Sequence, residues 1–196
     1  MAKSSKEWLR RHVTDHYVKQ ARKQGYRSRA AFKLLEIDEK ESILEPGMTV
    51  IDLGAAPGGW SQVAARKVKP GGRVIAVDLV EMAPISGVTV VRGDFRQLAF
   101  KEKADIVLSD VSPNLSGIAS VDQARLLELA GGALGLCRKV LKPGGVFVTK
   151  AFHGEAFDEL RERLKAAFAN VKVVKPSASR GESAETYVVA RKLRAE

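Results

Sequence analysis

Apolar runs alternate with helical patterns along most of this chain, beginning near residue 47. Short apolar segments typical of buried strands occupy residues 48–56, 72–80, 88–94, 104–111, 144–152, 172–177 and 184–193. The apolar spacing predicts amphipathic helices over residues 28–42, 59–68, 120–141 and 154–171. The chain therefore alternates strand and helix over most of its length.

This order of elements predicts an α/β fold. Strands that are apolar throughout and separated by helices are typical of a parallel sheet covered on both faces. The last two predicted strands have no helix between them, so one of them should run antiparallel to the others. We predict a Rossmann-like, mostly parallel seven-stranded sheet with one antiparallel strand and helices on both faces.

Length and composition fit one domain with a short extension. The chain has 196 residues, of which 45% are hydrophobic, and no apolar run approaches the roughly 18 residues of a membrane span. The N-terminus lacks the apolar stretch of a secretory signal. The one cysteine, Cys137, allows no intrachain disulfide, which is typical of a reduced cytoplasmic protein. A monomer is expected because no long apolar surface stripe is left over.

The positive charge is concentrated near the N-terminus. The net charge is +10, and residues 1–29 hold nine Lys and Arg against two acidic residues. Trp8, His12, His16 and Tyr26 are interleaved with these bases, and such aromatic rings can stack on nucleobases. We therefore predict a basic, nucleic-acid-binding arm over residues 1–29 and a Rossmann-like domain over residues 30–196.

A metal site is not expected from the histidines of the arm. His12 and His16 have the i, i+4 spacing of ligands on one helix face, but no carboxylate or cysteine set accompanies them. Contact with RNA or simple exposure to solvent is the preferred interpretation.

Polar residues follow the predicted strands at the edge where doubly wound sheets bind ligands. Gly54, Ala56 and Gly59 have the spacing of a G-x-G-x-x-G loop after the first strand, and Asp78 ends the second strand. An acid at that position can accept hydrogen bonds from a ribose diol. Asp94, after the third strand, could accept a bond from an adenine amino group. These residues predict a nucleoside cofactor.

The glycine loop favours S-adenosylmethionine over a dinucleotide. A pyrophosphate needs close backbone approach and free N–H groups, but this loop has Ala56 at the middle glycine position and then Pro57, which has no N–H. S-adenosylmethionine carries no phosphate, so neither change affects it. An NAD-dependent oxidoreductase is correspondingly disfavoured.

The fourth and fifth strands suggest where the chemistry occurs. Asp110 follows the fourth strand and Lys150 stands near the end of the fifth, so the two should face each other across the cofactor cleft. Alone, Lys150 could be a lysine whose stem lies on the surface with its ammonium in water. Lys33 and Glu185 are further charged residues in apolar or small surroundings.

Five segments together resemble the FtsJ/RrmJ family of ribose 2′-O-methyltransferases. They are RSRAAFKLLEID, DLGAAPGGWSQ, SDVSPNLSG, VTKAFHGE and SAETYVVA, and the resemblance runs from about residue 4 to residue 192. It implies the S-adenosylmethionine-dependent methyltransferase fold and a catalytic tetrad of Lys33, Asp110, Lys150 and Glu185. The resemblance also assigns residues to the cofactor site in addition to Gly54 of the glycine loop, namely Gly58, Trp60, Asp78, Asp94 and Asp110.

The same resemblance implies a substrate. In the bacterial 23S rRNA branch the methylated atom is the 2′-oxygen of a uridine in the A-loop of the peptidyl transferase centre, so the expected partner is 23S rRNA or the large ribosomal subunit. A tRNA methyltransferase of the same family and a non-catalytic RNA-binding module are the alternatives. Whether Lys150 removes the hydroxyl proton or only orients the hydroxyl stays open at this point.

Overall fold

The computed structural model describes residues 15–114, 116–179 and 183–194. Residues 1–14 of the predicted basic arm, which include Trp8 and His12, lie outside the described residues. In chain order the elements are α1 (His16–Lys23), α2 (Ala30–Glu41), β1 (Thr49–Leu53), α3 (Gly59–Lys67), β2 (Arg73–Asp78), β3 (Val88–Arg92), β4 (Ala104–Ser109), α4 (Ala119–Val140), β5 (Leu141–Phe152), α5 (Glu155–Ala167), β6 (Phe168–Val174) and β7 (Glu185–Leu193).

The predicted sheet is confirmed. Seven strands pair in the order β3-β2-β1-β4-β5-β7-β6. The first five strands are parallel, whereas β7 runs antiparallel to both β5 and β6. Because β7 is reversed, its first residues lie at the same edge of the sheet as the last residues of β4 and β5. We call this the carboxyl edge, and the opposite one the amino edge.

The core lies on both faces of the sheet. Successive side chains of a strand point to opposite faces, so Val50 packs with α2 and α3 while Ile51 packs with α4 and α5. In β5, Val148 likewise packs with α2 and α3 and Phe147 with α4 and α5, and both are fully buried. This burial on both faces explains why these strands are apolar throughout.

The helix predicted over residues 154–171 extends too far. α5 ends at Ala167 and β6 begins at Phe168, which pairs with Leu193 of β7 and is buried in the core. As an edge strand, β6 exposes most of its other side chains. Its sequence accordingly interrupts the apolar residues with Asn170 and Lys172.

The described end of the predicted arm is folded onto the domain. Asp15 is the N-cap of α1, and its carboxylate accepts a hydrogen bond from the Tyr17 N–H. The Arg29 guanidinium pairs with the same carboxylate and also donates to the Ala178 carbonyl. Residues 15–29 are thus tied to the segment that precedes β7. Within the described segments, no helix is long and apolar enough to cross a membrane.

Candidate active site

The four residues of the predicted tetrad meet at the carboxyl edge of the sheet. Lys150 lies beside Tyr187 in the β5–β7 register, and Glu185 pairs with Phe152. Asp110 follows Ser109, which pairs with Thr149, so it lies next to Lys150. Lys33 reaches the cluster from the first turns of α2. Four separate elements therefore supply the charged groups.

Lys150 lies at the centre of this cluster. Its Nζ is 2.8 Å from Asp110 Oδ1 and donates a hydrogen bond of 3.1 Å to the Asp110 carbonyl. The nearer oxygen of Glu185 is 3.9 Å away. The side chain is only 9% exposed, so this lysine is not one whose ammonium extends into water.

Lys33 and Glu185 form the second half of the cluster. Lys33 Nζ lies 2.6 Å from Glu185 Oε1, and the Ser179 hydroxyl donates to the same oxygen at 2.9 Å. Burial by itself raises the pKa of Glu185, but the charges of Lys33 and Lys150 and the bond from Ser179 outweigh it and lower the pKa overall. Glu185 is therefore a carboxylate at neutral pH.

Tyr187 belongs to the site although sequence reasoning assigned it no role. Its hydroxyl donates to Asp110 Oδ1 at 2.8 Å, and Lys33 Nζ lies 5.8 Å from its ring centroid. Burial and the charges of Asp110 and Glu185 raise the pKa of Tyr187 well above its usual value. The phenol therefore stays protonated and orients Asp110. The period of two along β7 could have identified it, because Tyr187 lies two residues after Glu185.

A cavity of about 290 Å³ opens beside the tetrad at the ends of β1, β2 and β4. Its lining includes four of the predicted cofactor residues, namely Gly54, Asp78, Asp94 and Asp110. Gly54 has φ +71°, and a Cβ there would lie 2.9 Å from Val111 Cα. Only glycine leaves the backbone this open next to the cavity.

The charges around this cavity suit a cationic ligand. Three carboxylates line it, whereas its one cation, Arg96, is paired with Asp94 at 2.7 Å. Each oxygen of Asp78 accepts one backbone N–H, from Ala56 at 2.9 Å and from Val80 at 2.8 Å. Because a carboxylate oxygen has two lone pairs, Asp78 can still accept bonds from a ribose diol. With Arg96 paired to Asp94 and Lys150 to Asp110, Asp78 supplies the net negative charge of the lining, which fits a sulfonium and disfavours a pyrophosphate.

Two predicted cofactor residues, Gly58 and Trp60, are not among those that line the cavity. Gly58 has φ +113° and precedes α3, and a Cβ there would lie 2.5 Å from Ile85 Cδ1. The Trp60 side chain is buried in the core, and its Nε1 donates to the Ala30 carbonyl at 2.8 Å. Any contact of Trp60 with a cofactor would therefore come from its backbone in the first turn of α3.

Asp52 is a fully buried acid beneath the glycine loop. Its Oδ2 accepts a bond of 2.6 Å from the Ser61 hydroxyl, while its Oδ1 has no hydrogen-bond partner. Burial raises its pKa to about 7; the charges of Asp110 and Asp78 add to this effect, while the Ser61 bond opposes it. Through the Ser61 bond, Asp52 ties the end of β1 to the first turn of α3.

The raised pKa of Asp52 predicts a pH-dependent stability. The folded state holds a proton that the unfolded chain, with a pKa near 4, has already released, so stability falls as pH rises towards 7 and then levels off. Between pH 5 and pH 8 this contribution should fall by about 2–3 kcal/mol. Urea unfolding of wild type and Asp52→Asn at both pH values measures it. An identical pH dependence in both proteins would contradict the assignment.

Among the described residues, no group of His, Cys, Asp and Glu is arranged to hold a metal ion. His16 begins α1, and its ring packs against Tyr17 at a centroid distance of 5.7 Å. Its predicted companion His12 lies outside the described residues. Cys137 lies in α4 and is buried in the core beneath that helix.

The sheet order and the acidic cavity at its carboxyl edge define the class of Rossmann-like methyltransferases. A solved ribosomal RNA methyltransferase from Plasmodium falciparum has the same fold, with a TM-score of 0.79 and 27% identity over 87% of this chain and all of that one. Two relatives named ribosomal RNA large subunit methyltransferase E are more similar in sequence. The Nitrosospira multiformis protein is 52% identical over 95% of both chains, and the Methylobacillus flagellatus protein is 49% identical over 97% of both.

Residues 26–193 match the FtsJ-like methyltransferase family. The chain belongs to this family. The predicted family, enzyme class and cofactor, S-adenosylmethionine, are thereby confirmed. The roles of the individual site residues stay predictions.

Proposed function

We propose that this protein methylates the 2′-hydroxyl of a uridine in the A-loop of 23S rRNA, acting as a cytoplasmic monomer on the large ribosomal subunit. The names and high identity of the two relatives support large-subunit rRNA as the substrate. The positive charge of residues 1–29 supports a polyanionic substrate. The intact, ion-paired tetrad favours catalysis over a non-catalytic RNA-binding role.

The main support for this proposal is that the tetrad lies between two cavities. Asp110 lines the cavity described above, and a second cavity of about 220 Å³ is lined by Arg29, Lys33, Ser183 and Glu185. Lys150 pairs with Asp110 on one side and approaches Glu185 on the other. A cofactor on the acidic side and a ribose on the other would therefore meet at Lys150.

In this arrangement Gly54, Asp78, Asp94 and Asp110 hold S-adenosylmethionine, which when bound supplies an electrophilic methyl group on a sulfonium. The main task of the protein is to align the ribose oxygen with that methyl group. Tyr187 and Lys150 fix the Asp110 carboxylate, and Lys33 and Ser179 fix Glu185. Since each charged group has a partner, the cluster keeps its geometry before RNA binds.

Lys150 is the residue that acts on the hydroxyl. As a neutral amine it would accept the hydroxyl proton, and as an ammonium it would orient the hydroxyl by donating to its oxygen. Single-turnover rates between pH 6 and pH 10 distinguish the two roles. A rate that rises tenfold per pH unit and then levels off, with the midpoint moved by Lys33→Met, supports proton acceptance, whereas a rate that stays flat or falls as the pH rises supports orientation.

The substrate is tested by incubating the protein with labelled S-adenosylmethionine and either intact large subunits, naked rRNA or tRNA. We expect label in large-subunit rRNA, mapped to a single uridine. Label in tRNA alone would replace the proposal with a tRNA methyltransferase of the same family. Label in none of the three would overturn the catalytic assignment.

Asp78→Asn should weaken S-adenosylmethionine binding by about 10- to 100-fold, because a hydrogen bond to a charged acceptor contributes roughly 1.5–3 kcal/mol. Calorimetric titration of the free protein measures this effect. Asp158→Asn, on the exposed side of α5, is the matched control and should bind normally. Equal affinities of the Asp78 and Asp158 variants would remove Asp78 from the cofactor site.

A further inference from the structure

A third cavity, of about 410 Å³, lies at the amino edge of the sheet. We call it the amino-edge cavity. Lys103 precedes β4, Leu141 and Lys142 begin β5, and Leu193 ends the antiparallel β7, so all of these residues are remote from the tetrad. The six residues of β4 separate this edge from Asp110 by about 20 Å, at roughly 3.3 Å per residue.

Cations dominate the lining of the amino-edge cavity. Four of its residues are basic, namely Lys103, Arg138, Lys142 and Arg194. Lys142 Nζ lies 2.8 Å from both carboxylate oxygens of Asp105, which compensates its charge. Lys103 Nζ donates to the neutral Lys139 carbonyl at 2.7 Å. No carboxylate among the described residues pairs with it, and two of its three donors remain for other acceptors. The lining is therefore positive even with Asp105 included.

The rest of the lining is apolar. Leu141, Pro143 and Leu193 contribute hydrocarbon surface to the cavity, and Leu141 is buried. Exposed cations stand beside this surface at Lys103, Arg138 and Arg194. A ligand with an anionic part and a flat apolar part would match both surfaces. A nucleotide has this composition, because its phosphate is an acceptor for the basic side chains and its base can pack between apolar side chains.

We propose that the amino-edge cavity binds a nucleotide of the substrate RNA, about 20 Å from the ribose that is methylated. This inference rests on the proposed rRNA substrate, which is large enough to reach both edges of the sheet. Phosphate contacts position a nucleic acid without reading its sequence. The cavity thus adds a remote anchor to the contacts around the tetrad, and it should contribute to affinity and not to the chemical step.

The test uses the double variant Lys103→Gln/Arg194→Gln in the full chain. The backbone N–H of Arg194 bonds to the Ala167 carbonyl, a contact that a side-chain substitution leaves in place. The matched control is Arg163→Gln/Lys165→Gln, which removes the same charge from exposed ion pairs on α5. Arg194→Gln alone serves as the test variant if the double variant does not fold.

Binding is measured by filter retention with two RNAs, full-length 23S rRNA and a short hairpin that carries only the methylated region. For the long RNA, we expect the double variant to bind about tenfold more weakly than the control. The slope of log K against log salt should also fall by about 1.8, which corresponds to two phosphate contacts. For the hairpin, both variants should bind alike, and turnover at saturating RNA should match wild type.

Equal binding of the double variant and the control to the long RNA would overturn the proposal. So would an equal loss on the hairpin, because the cavity would then act near the methylated nucleotide or through charge alone. Failure of the proposed function shows differently, since wild-type protein would then transfer no methyl group to either RNA.

Discussion

Replacing Lys150 by methionine should slow methyl transfer by about 10²- to 10⁴-fold, the range typical for loss of a group that handles a proton. Methionine keeps most of the length of the side chain but removes the amine that contacts Asp110. The cofactor cavity does not include Lys150 in its lining, so the Kd for S-adenosylmethionine should stay within about threefold of wild type. Single-turnover assays and calorimetry measure the two quantities separately.

Lys142→Met is a suitable control for this substitution. Lys142 lies in the same strand, β5, and also pairs with an aspartate, Asp105, but it lies at the amino edge. It should retain near-normal chemistry at saturating RNA. If Lys150→Met turned over like Lys142→Met across the pH range, the catalytic assignment of Lys150 would be wrong.

The second large effect concerns folding. Trp60→Ala should lower the free energy of unfolding by about 3–5 kcal/mol, as expected for deleting a large buried aromatic side chain. Trp60 is 2% exposed, and its ring centroid lies 5.4 Å from that of Tyr187. Its Nε1 donates a hydrogen bond to the Ala30 carbonyl at the start of α2. Urea unfolding measures the loss.

Trp60→Phe separates the structural role from a role in cofactor binding. Phenylalanine keeps the ring in the core but cannot donate to Ala30, so about 1–2 kcal/mol should be lost. If the folded Trp60→Phe protein binds S-adenosylmethionine normally, the contribution of the side chain is to folding. A large loss of affinity with little loss of stability would show that the indole itself contacts the cofactor.

The general rules of α/β folds predicted one half of the site. Asp110 and Lys150 were expected to meet because ligands bind at the ends of parallel strands, and they do, at 2.8 Å. Glu185 and Lys33 followed only from the family resemblance. Glu185 reaches this edge because β7 is antiparallel, and the sequence did not show which of the last two strands is reversed.

Other features could not be predicted because they depend on packing between distant segments. Ser179 lies outside the strands yet bonds to Glu185. The spacing along β7 could have placed Tyr187 beside Glu185, but its hydrogen bond to Asp110 depends on how β7 lies against β5. The side chain of Trp60 lies in a motif associated with the cofactor but points into the core. The boundary between α5 and β6 was missed because pairing with β7, not local sequence, decides it.

We propose that the tetrad acts on a ribose hydroxyl at Lys150. Digestion of rRNA labelled from S-adenosylmethionine to nucleosides identifies the methylated atom, with wild type and Lys150→Met compared side by side. We expect wild type to place the label in a 2′-O-methyl nucleoside and Lys150→Met to leave that product at background. Label on a base, or equal 2′-O-methyl product from both proteins, would contradict the claim.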